Sequence, residues 1–343
     1  MSHGDSLAQQ ARYRARCTGN RHQNEHRFLS TARPATAISE ATGDQALLES
    51  ALFTHANGLA DYCAHPAGIH SVDPRVDHLT VRLDSYIGPT RDYPLGEHCL
   101  ATLLPTQNTR TKEEPSGVPG IRLRGIDDRG LHLGLADSSA SATLTGPTAE
   151  QWRSYLDNHR ALCIENGAAP LWETADLSEA EAAFRTEHSS WQEILSRSAW
   201  IGSGLLRRIG LFHTVSNAYS LGYWLDGRDW KFELTYEHGV PVNHDELVQY
   251  LTHPAWGLPM RVDHRSCQCR PCDCDGGRER ICWIELTPTT DRVTGISFRF
   301  RSTAKDRNIT RVYRSLALSG ASTAWLERVL PQHHRQASTA VAS

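Results

Sequence analysis

The sequence predicts an α+β protein in which a helical amino-terminal segment precedes two α+β units that are separated by helices. Residues 1–62 and 176–220 carry apolar residues at helical spacing, whereas the segments that begin at His78 and Trp230 alternate apolar and polar residues, as strands do. A hydrophobic fraction of 39%, with 9 Trp and 10 Tyr among 343 residues, supplies enough apolar material for folded cores.

The amino-terminal segment, residues 1–62, is expected to form three short helices. Ser6 is placed to cap the first, which ends before Gly19, and the other two are predicted over residues 21–29 and 44–60. The first two helices carry five arginines, among them Arg12 and Arg16, against a single glutamate. Two such helices joined by a short turn could dock on DNA phosphates as a helix-turn-helix; the alternative is an exposed helical hairpin whose arginines are solvated.

The first α+β unit is predicted over residues 72–172. Its strands are expected at residues 78–83, 98–104, 121–135 (a hairpin that turns at 127–130) and 142–144. Thr148 and Gln151 have the spacing of a capping box for a helix that ends near Glu165.

Residues 176–220 are predicted to be a helical connector, in which Ser178 and Glu181 form a second capping box and the Gly-Ser-Gly sequence at 202–204 interrupts the helix. The second α+β unit, residues 221–330, is predicted to have strands at 230–236, 261–269, 280–286 and 296–301, with Asn243 and Glu246 capping a short helix. Both units place a capped helix among their strands, so the order of elements suggests a duplicated unit with little sequence identity. Residues 331–343 are expected to be a disordered tail.

Five of the nine cysteines lie in one stretch of sixteen residues, which belongs to the predicted β-hairpin near the carboxyl terminus. This hairpin loop is rich in Arg, Asp and Gly and cannot bury apolar side chains, so it needs a cross-link. In a reducing compartment a metal is a better cross-link than a disulfide, and Cys-x-x-Cys spacing suits tetrahedral zinc. The sequence therefore predicts a zinc-stapled hairpin, with reactive thiols, disulfides or an iron–sulfur cluster as alternatives. Six residues compete for the four ligand positions: Cys267, Cys269, Cys272, Cys274, Cys282 and His264.

The strand over residues 296–301 alternates Phe298 and Phe300 with Arg299 and Arg301. One face of this strand is therefore expected in a core and the other in water, where the two arginines could contact a nucleic-acid backbone. The bland alternative is a sheet whose arginines are only solvated.

A zinc deaminase or hydrolase is the main alternative from the enzyme class. His244 and Glu246 open a predicted helix as His-x-Glu, and a Pro-Cys pair follows, but Cys274 comes one residue too early for the Cys-x-x-Cys of that chemistry. A second histidine group, which includes His65, His70 and His78, matches no metal-ligand spacing and is expected to be an ordinary exposed loop.

The composition excludes several classes of protein. No apolar run approaches the length of a membrane-spanning helix, the amino terminus has no secretory signal, and a net charge of −3 argues against a strongly basic nucleic-acid coat. We therefore expect a cytoplasmic, zinc-stabilised binding protein whose partner is nucleic acid or another protein, and not a membrane protein. A third hypothesis is an accessory or self-assembly protein in which zinc is purely structural.

Overall fold

The computed structural model describes residues 6–32, 36–56, 63–84, 94–111, 113–237, 239–266, 281–290, 292, 294–302, 309–331 and 333–334. Within these residues the helices are α1 (Leu7–Thr18), α2 (His22–Ala32), α3 (Gly43–Ala56), α4 (Leu95–Leu103), α5 (Ala149–Glu165), α6 (Glu179–Glu187), α7 (Ser189–Leu206), α8 (Leu211–Thr214), α9 (His244–Leu251), α10 (Ile309–Leu318) and α11 (Thr323–Val329). The strands are β1 (Ile69–Pro74), β2 (His78–Leu83), β3 (Thr106–Asn108), β4 (Ile121–Asp127), β5 (Gly130–Leu135), β6 (Ser141–Thr145), β7 (Ala168–Pro170), β8 (Ser220–Asp226), β9 (Asp229–Tyr236), β10 (Met260–Arg265), β11 (Ile281–Pro288) and β12 (Ile296–Ser302).

The α+β class is confirmed, and its two five-stranded sheets share one topology. The first sheet has the order β1-β2-β6-β5-β4 and the second the order β8-β9-β12-β11-β10. In each sheet the two hairpins are antiparallel and the central pair, β2 with β6 or β9 with β12, is parallel. Each sheet is thus built from a hairpin, a helix, a second hairpin and a last strand that inserts between the two hairpins. This equivalence is what the predicted duplication requires.

Helices α3 and α7 connect the two sheets. Gln45 of α3 exchanges two hydrogen bonds with the main chain of Ser141, the first residue of β6 in the first sheet (2.9 and 3.0 Å). Eight residues further along α3, Phe53 stacks on Tyr223 of the second sheet with a 4.1 Å centroid separation. Residues of both sheets consequently belong to one continuous apolar core.

A buried ion pair fixes α3 against α7. The Arg207 guanidinium donates from Nε and Nη2 to the two carboxylate oxygens of Glu49, each at 2.6 Å, and both side chains are 0% exposed. The hydroxyl of Ser203 and the amide of Gln45 donate to the same carboxylate, at 2.6 and 2.7 Å. Every polar atom of the Glu49 carboxylate is thus satisfied, which a buried charge requires.

Two predicted elements were wrong. Residues 98–104 are not a strand: they belong to α4 and the residue after it, because Leu95, Cys99, Leu100 and Leu103 are buried at helical spacing and form one apolar face. The Gly-Ser-Gly sequence at 202–204 does not interrupt α7, which runs through it. A Cβ at Gly202 would lie 2.3 Å from the hydroxyl oxygen of Ser50 in α3. Glycine is needed there because the two helices approach closely, and not because the helix breaks.

Of the three predicted helix caps that involve a pair of residues, two form and one does not. Both predicted capping boxes, Thr148 with Gln151 and Ser178 with Glu181, form in full. Asn243 does precede α9, but its side chain makes no capping hydrogen bond and donates instead to the Val215 carbonyl at 3.3 Å.

Among the described residues, no helix combines the length and the apolar character that a membrane crossing demands.

Breaking the buried pair tests whether α3 and α7 depend on it. Replacing Glu49 with Ala leaves the Arg207 guanidinium buried without its counter-charge, so we expect the free energy of unfolding to fall by about 3–5 kcal/mol. The matched control is Glu193→Ala in α7, which removes an exposed pair with Arg197 and should cost less than about 1 kcal/mol. Urea denaturation followed by circular dichroism measures both, and equal losses in the two variants would contradict the assignment.

Candidate functional sites

The second sheet has one face covered by helices and one face that is open. Its covered face carries Trp230, Phe232 and Leu234 of β9 and Phe298 and Phe300 of β12, all at most 1% exposed. The opposite face carries Arg299 and Arg301 of β12, as the alternation of β12 requires. We call this second surface the open face; it consists of Trp224, Lys231, Glu233, Trp283, Glu285, Arg299 and Arg301.

Two large aromatic side chains are exposed on the open face. Trp224 of β8 is 47% exposed and Trp283 of β11 is 40% exposed. Trp283 lies directly opposite Arg299, whose guanidinium is 5.5 Å from the centroid of the indole ring. Both indole rings therefore present apolar surface to solvent on the same face of the sheet.

The open face carries more positive than negative charge. Arg299 and Arg301 share one carboxylate, that of Glu233, at 3.0 and 3.6 Å. Lys231 adds a third cation on the same face, and Glu285, opposite Ser297, adds a second carboxylate, so three cations face two carboxylates. Beside Glu233 lies Gly222, where a Cβ would meet no heavy atom within 4 Å, so the backbone of β8 is bare at this point.

Of the six candidate zinc ligands, Cys267, Cys269, Cys272 and Cys274 lie outside the described residues. Cys282 is 6% exposed and faces the core, in line with Ile284. His264 lies opposite the exposed Glu285 and therefore on the other face of the sheet. The structure does not bring Cys282 and His264 together, so the two cannot bind one ion from these strands.

His244 and Glu246 diverge from the start of α9. The His244 ring is 4% exposed, packs edge-on against Phe300 at 5.5 Å and has its pKa lowered, first of all by burial. Glu246 points elsewhere and pairs with Arg16 of α1 at 2.6 Å. Residues two apart on a helix do not share a face, so this geometry does not join them in one reaction site.

The arginines of α1 are largely engaged within the fold. Arg14 is 0% exposed and forms a buried pair with Glu25 of α2, while Arg16 is held by Glu246 and the Tyr250 hydroxyl. Arg12 lines a surface cleft with Tyr250 and others. Arg14 and Arg16 are thus engaged within the fold, whereas Arg12, Arg21 and Arg27 are exposed.

Sequence reasoning missed a cluster of histidines at the start of the first sheet. The chain before β1 turns through a short 3-10 segment (Pro66–Gly68), in which Ala67 and Gly68 have positive φ angles of 56° and 66°. His70 then occupies a break in the register between β1 and β2, and such bulges redirect side chains. The turn and the bulge together bring the rings of His65 and His70 face to edge, with centroids 4.5 Å apart.

A carboxylate and a third imidazole complete the histidine cluster. Asp84, directly after β2, accepts hydrogen bonds from Nδ1 and the main-chain N–H of His65, at 2.7 and 2.9 Å. His213 of α8 lies edge-on to His65, with ring centroids 4.8 Å apart. Burial, followed by the charges of His65 and His70, lowers the pKa of His213 well below its usual value, so this ring is neutral at neutral pH. The pKa of His70 is also lowered, mainly by burial.

The signal for this cluster was only partly present in the sequence. His65 and His70 belong to a histidine group that is visible in the sequence, but the sequence does not predict β1. Asp84 and His213 lie far from this group along the chain. Only the fold brings α8 beside the turn. Gly19 permits the approach, since a Cβ there would lie 2.7 Å from the His70 carbonyl oxygen and 3.1 Å from Cε1 of His213.

In comparisons with protein-family models, with curated proteins and with solved structures, nothing matches this chain.

The divergence of His244 and Glu246 predicts different structural costs. Replacing His244 with Ala removes a buried ring, so we expect the free energy of unfolding to fall by about 1–3 kcal/mol. Glu246→Ala removes a pair in which both side chains are about 40% exposed, which should cost less than about 1 kcal/mol. Thermal and urea unfolding of the two variants provide the measurement; a larger loss for Glu246 would show that its pair with Arg16 matters more than its exposure indicates.

Proposed function

We propose that this protein binds single-stranded nucleic acid through the open face of its second sheet, and that zinc bound by the cysteine-rich segment stabilises the adjacent hairpin. The observation that carries the proposal is the exposure of Trp224 and Trp283 on the same face as Arg299 and Arg301. Flat aromatic side chains stack on bases, and arginines contact phosphates, so the two residue types together suit a nucleic-acid strand.

The spacing of the aromatic side chains supports this partner. Trp224 is on β8 and Trp283 on β11, three strands away across the sheet, which corresponds to about 15 Å. The cations Lys231 and Arg299 lie between them. A strand with splayed bases can therefore stack at both ends of the face and place its phosphates on the cations in between.

A single strand suits this surface better than a duplex. Proteins read duplex DNA by inserting a helix or a β-ribbon into a groove, whereas the open face is the broad side of a sheet. A nucleic acid also suits this face better than a protein partner does. Exposed bases provide flat rings that can stack on two separate tryptophans, whereas a protein partner does not necessarily present such rings.

The spacing of the cysteines supports the proposed zinc site. Cys269-x-x-Cys272 with Cys267 and Cys274 can supply four thiolates, and closed thiolate sites commonly fold small elements. A cytoplasmic location is proposed on the same chemistry. The described cysteines form no disulfide among themselves, which accords with a reducing compartment.

Changing the open face should change both the affinity and its dependence on salt. For a fluorescein-labelled single-stranded 12-mer of DNA or RNA, we expect the double variant Arg299→Gln, Arg301→Gln to bind more weakly. The slope of log affinity against log salt should fall by about 1–1.5, because each lost phosphate contact releases one counterion fewer. Fluorescence anisotropy over a series of salt concentrations gives both quantities. Arg129→Gln, at an 80% exposed arginine that also pairs with a carboxylate, is the matched control and should change neither.

Two further variants separate stacking from charge. Trp283→Ala should weaken binding about 5- to 100-fold, since each stacked base contributes about 1–3 kcal/mol. Gly222→Glu places a carboxylate on the open face without displacing a packed atom and should abolish binding in a protein that remains folded. Absence of binding by the wild type at low salt, or equal binding by Gly222→Glu, would refute the proposal; tighter binding of a duplex than of a single strand would also contradict it.

A further inference from the structure

We infer that the histidine cluster is a transition-metal site in which His65 and His70 supply imidazole ligands, Asp84 orients His65 and His213 lies beside them. The ion proposed is zinc. This site uses no residue of the cysteine-rich segment and none of the open face, and it does not depend on nucleic-acid binding.

The carboxylate determines which nitrogen of His65 is available. Asp84 accepts a hydrogen bond from Nδ1 of His65 at 2.7 Å, so the proton of the neutral ring resides on Nδ1 and the lone pair on Nε2. The second oxygen of Asp84 accepts from the His65 main-chain N–H at 2.9 Å, and the Asp84 main-chain N–H donates to the Gly68 carbonyl at 2.8 Å. The carboxylate is 5% exposed and therefore holds its orientation. A carboxylate behind an imidazole is the arrangement that orients metal-binding histidines and raises their basicity.

The free nitrogen of His65 faces a second imidazole nitrogen. Nε2 of His65 lies 3.3 Å from Nδ1 of His70. Two ligand nitrogens on a tetrahedral zinc, each about 2.0–2.1 Å from the ion, lie about 3.3–3.4 Å from each other. The observed separation is thus the one that a shared ion would impose. Without an ion, one of the two rings has to donate a proton to the other.

His213 lies beside the two ligand rings and keeps one buried nitrogen without a hydrogen bond. Nδ1 of His213 is shielded from solvent and has no hydrogen-bond partner among the described residues. A shielded nitrogen without a partner is costly unless something occupies it. The charged or titratable groups that act on the His213 ring are His65, His70 and Arg328. Positive charge on the imidazoles would repel a bound cation, so a cation can bind here only when the rings are neutral.

A small cavity adjoins His65, the one residue of the cluster that lines it. Its volume is about 20 Å³, and its lining includes Cys63, Phe212, Tyr219, Ser220 and Leu221. That volume accommodates a single water molecule. Two imidazoles leave the remaining positions of a tetrahedral zinc to water or a small anion.

Titration of the purified full-length protein tests the site directly. The variant in which Cys267, Cys269, Cys272 and Cys274 are replaced by Ser removes the thiolates of the other proposed site. After treatment with a chelator, this variant should still bind one equivalent of zinc in isothermal titration calorimetry. Cobalt at the same site should give visible d–d absorption without the near-ultraviolet thiolate band, which separates the two sites spectroscopically.

Substitutions within the cluster should reduce binding in a graded way. In this background of four Cys→Ser substitutions, His70→Ala should lose the equivalent of zinc, and Asp84→Asn should weaken zinc binding about 10- to 100-fold. His26→Ala, at an exposed histidine on α2, is the control and should bind zinc as its parent does. The shift of the melting temperature on zinc addition provides a second readout for any variant that is less stable, because it compares each protein with itself.

Two results would overturn the inference: the variant with the four Cys→Ser substitutions binds no zinc or cobalt at micromolar concentration, or His70→Ala binds zinc as tightly as its parent. Both leave the nucleic-acid proposal untouched, since neither measurement involves the open face.

Discussion

The buried contact between the Glu49 carboxylate and the Arg207 guanidinium is the constraint on which the rest of the structure depends. It fixes α3 against α7, and α3 reaches the first sheet through Gln45 and the second through Phe53. A guanidinium and a carboxylate removed from water are tolerated only when every donor and acceptor is satisfied, so the pair permits a single register of the two helices. The close approach at Gly202 has the same consequence. Both sheets are therefore positioned by one helix pair.

Because the helices occupy one face of the second sheet, its other face is left for contacts. The first sheet has the same topology but a different surface: on β2, β5 and β6 the outward side chains of His78, His132 and Thr143 hydrogen-bond to one another, with Thr143 between the rings at 3.0 and 3.1 Å. These three side chains thus provide hydrogen-bond partners for one another. The second sheet instead exposes Trp224 and Trp283 next to arginines that share one carboxylate. The two sheets thus share a topology and differ in the side chains that their outward faces present.

What the sequence could predict follows from the range of the interactions involved. Local rules were sufficient for the Thr148 capping box and for the alternation of β12, because each depends on residues within a few positions. They failed where a distant contact decides the outcome: residues 98–104 are helical because their apolar side chains line the helix face toward the core, and Gly202 stays inside a helix because Ser50 lies against it. The histidine cluster was missed for the same reason, since His213 meets His65 only after the fold has formed.

Photo-cross-linking tests the account most directly, because it reports where a nucleic acid lies and not only whether it binds. A single-stranded oligonucleotide that carries 4-thiouridine would be irradiated in complex with the full-length protein, and the adducts located by mass spectrometry after proteolysis. The account predicts adducts in the peptides of β8 and β11 that contain Trp224 and Trp283. Adducts confined to α1 and α2 or to the first sheet, with none on the open face, would contradict it.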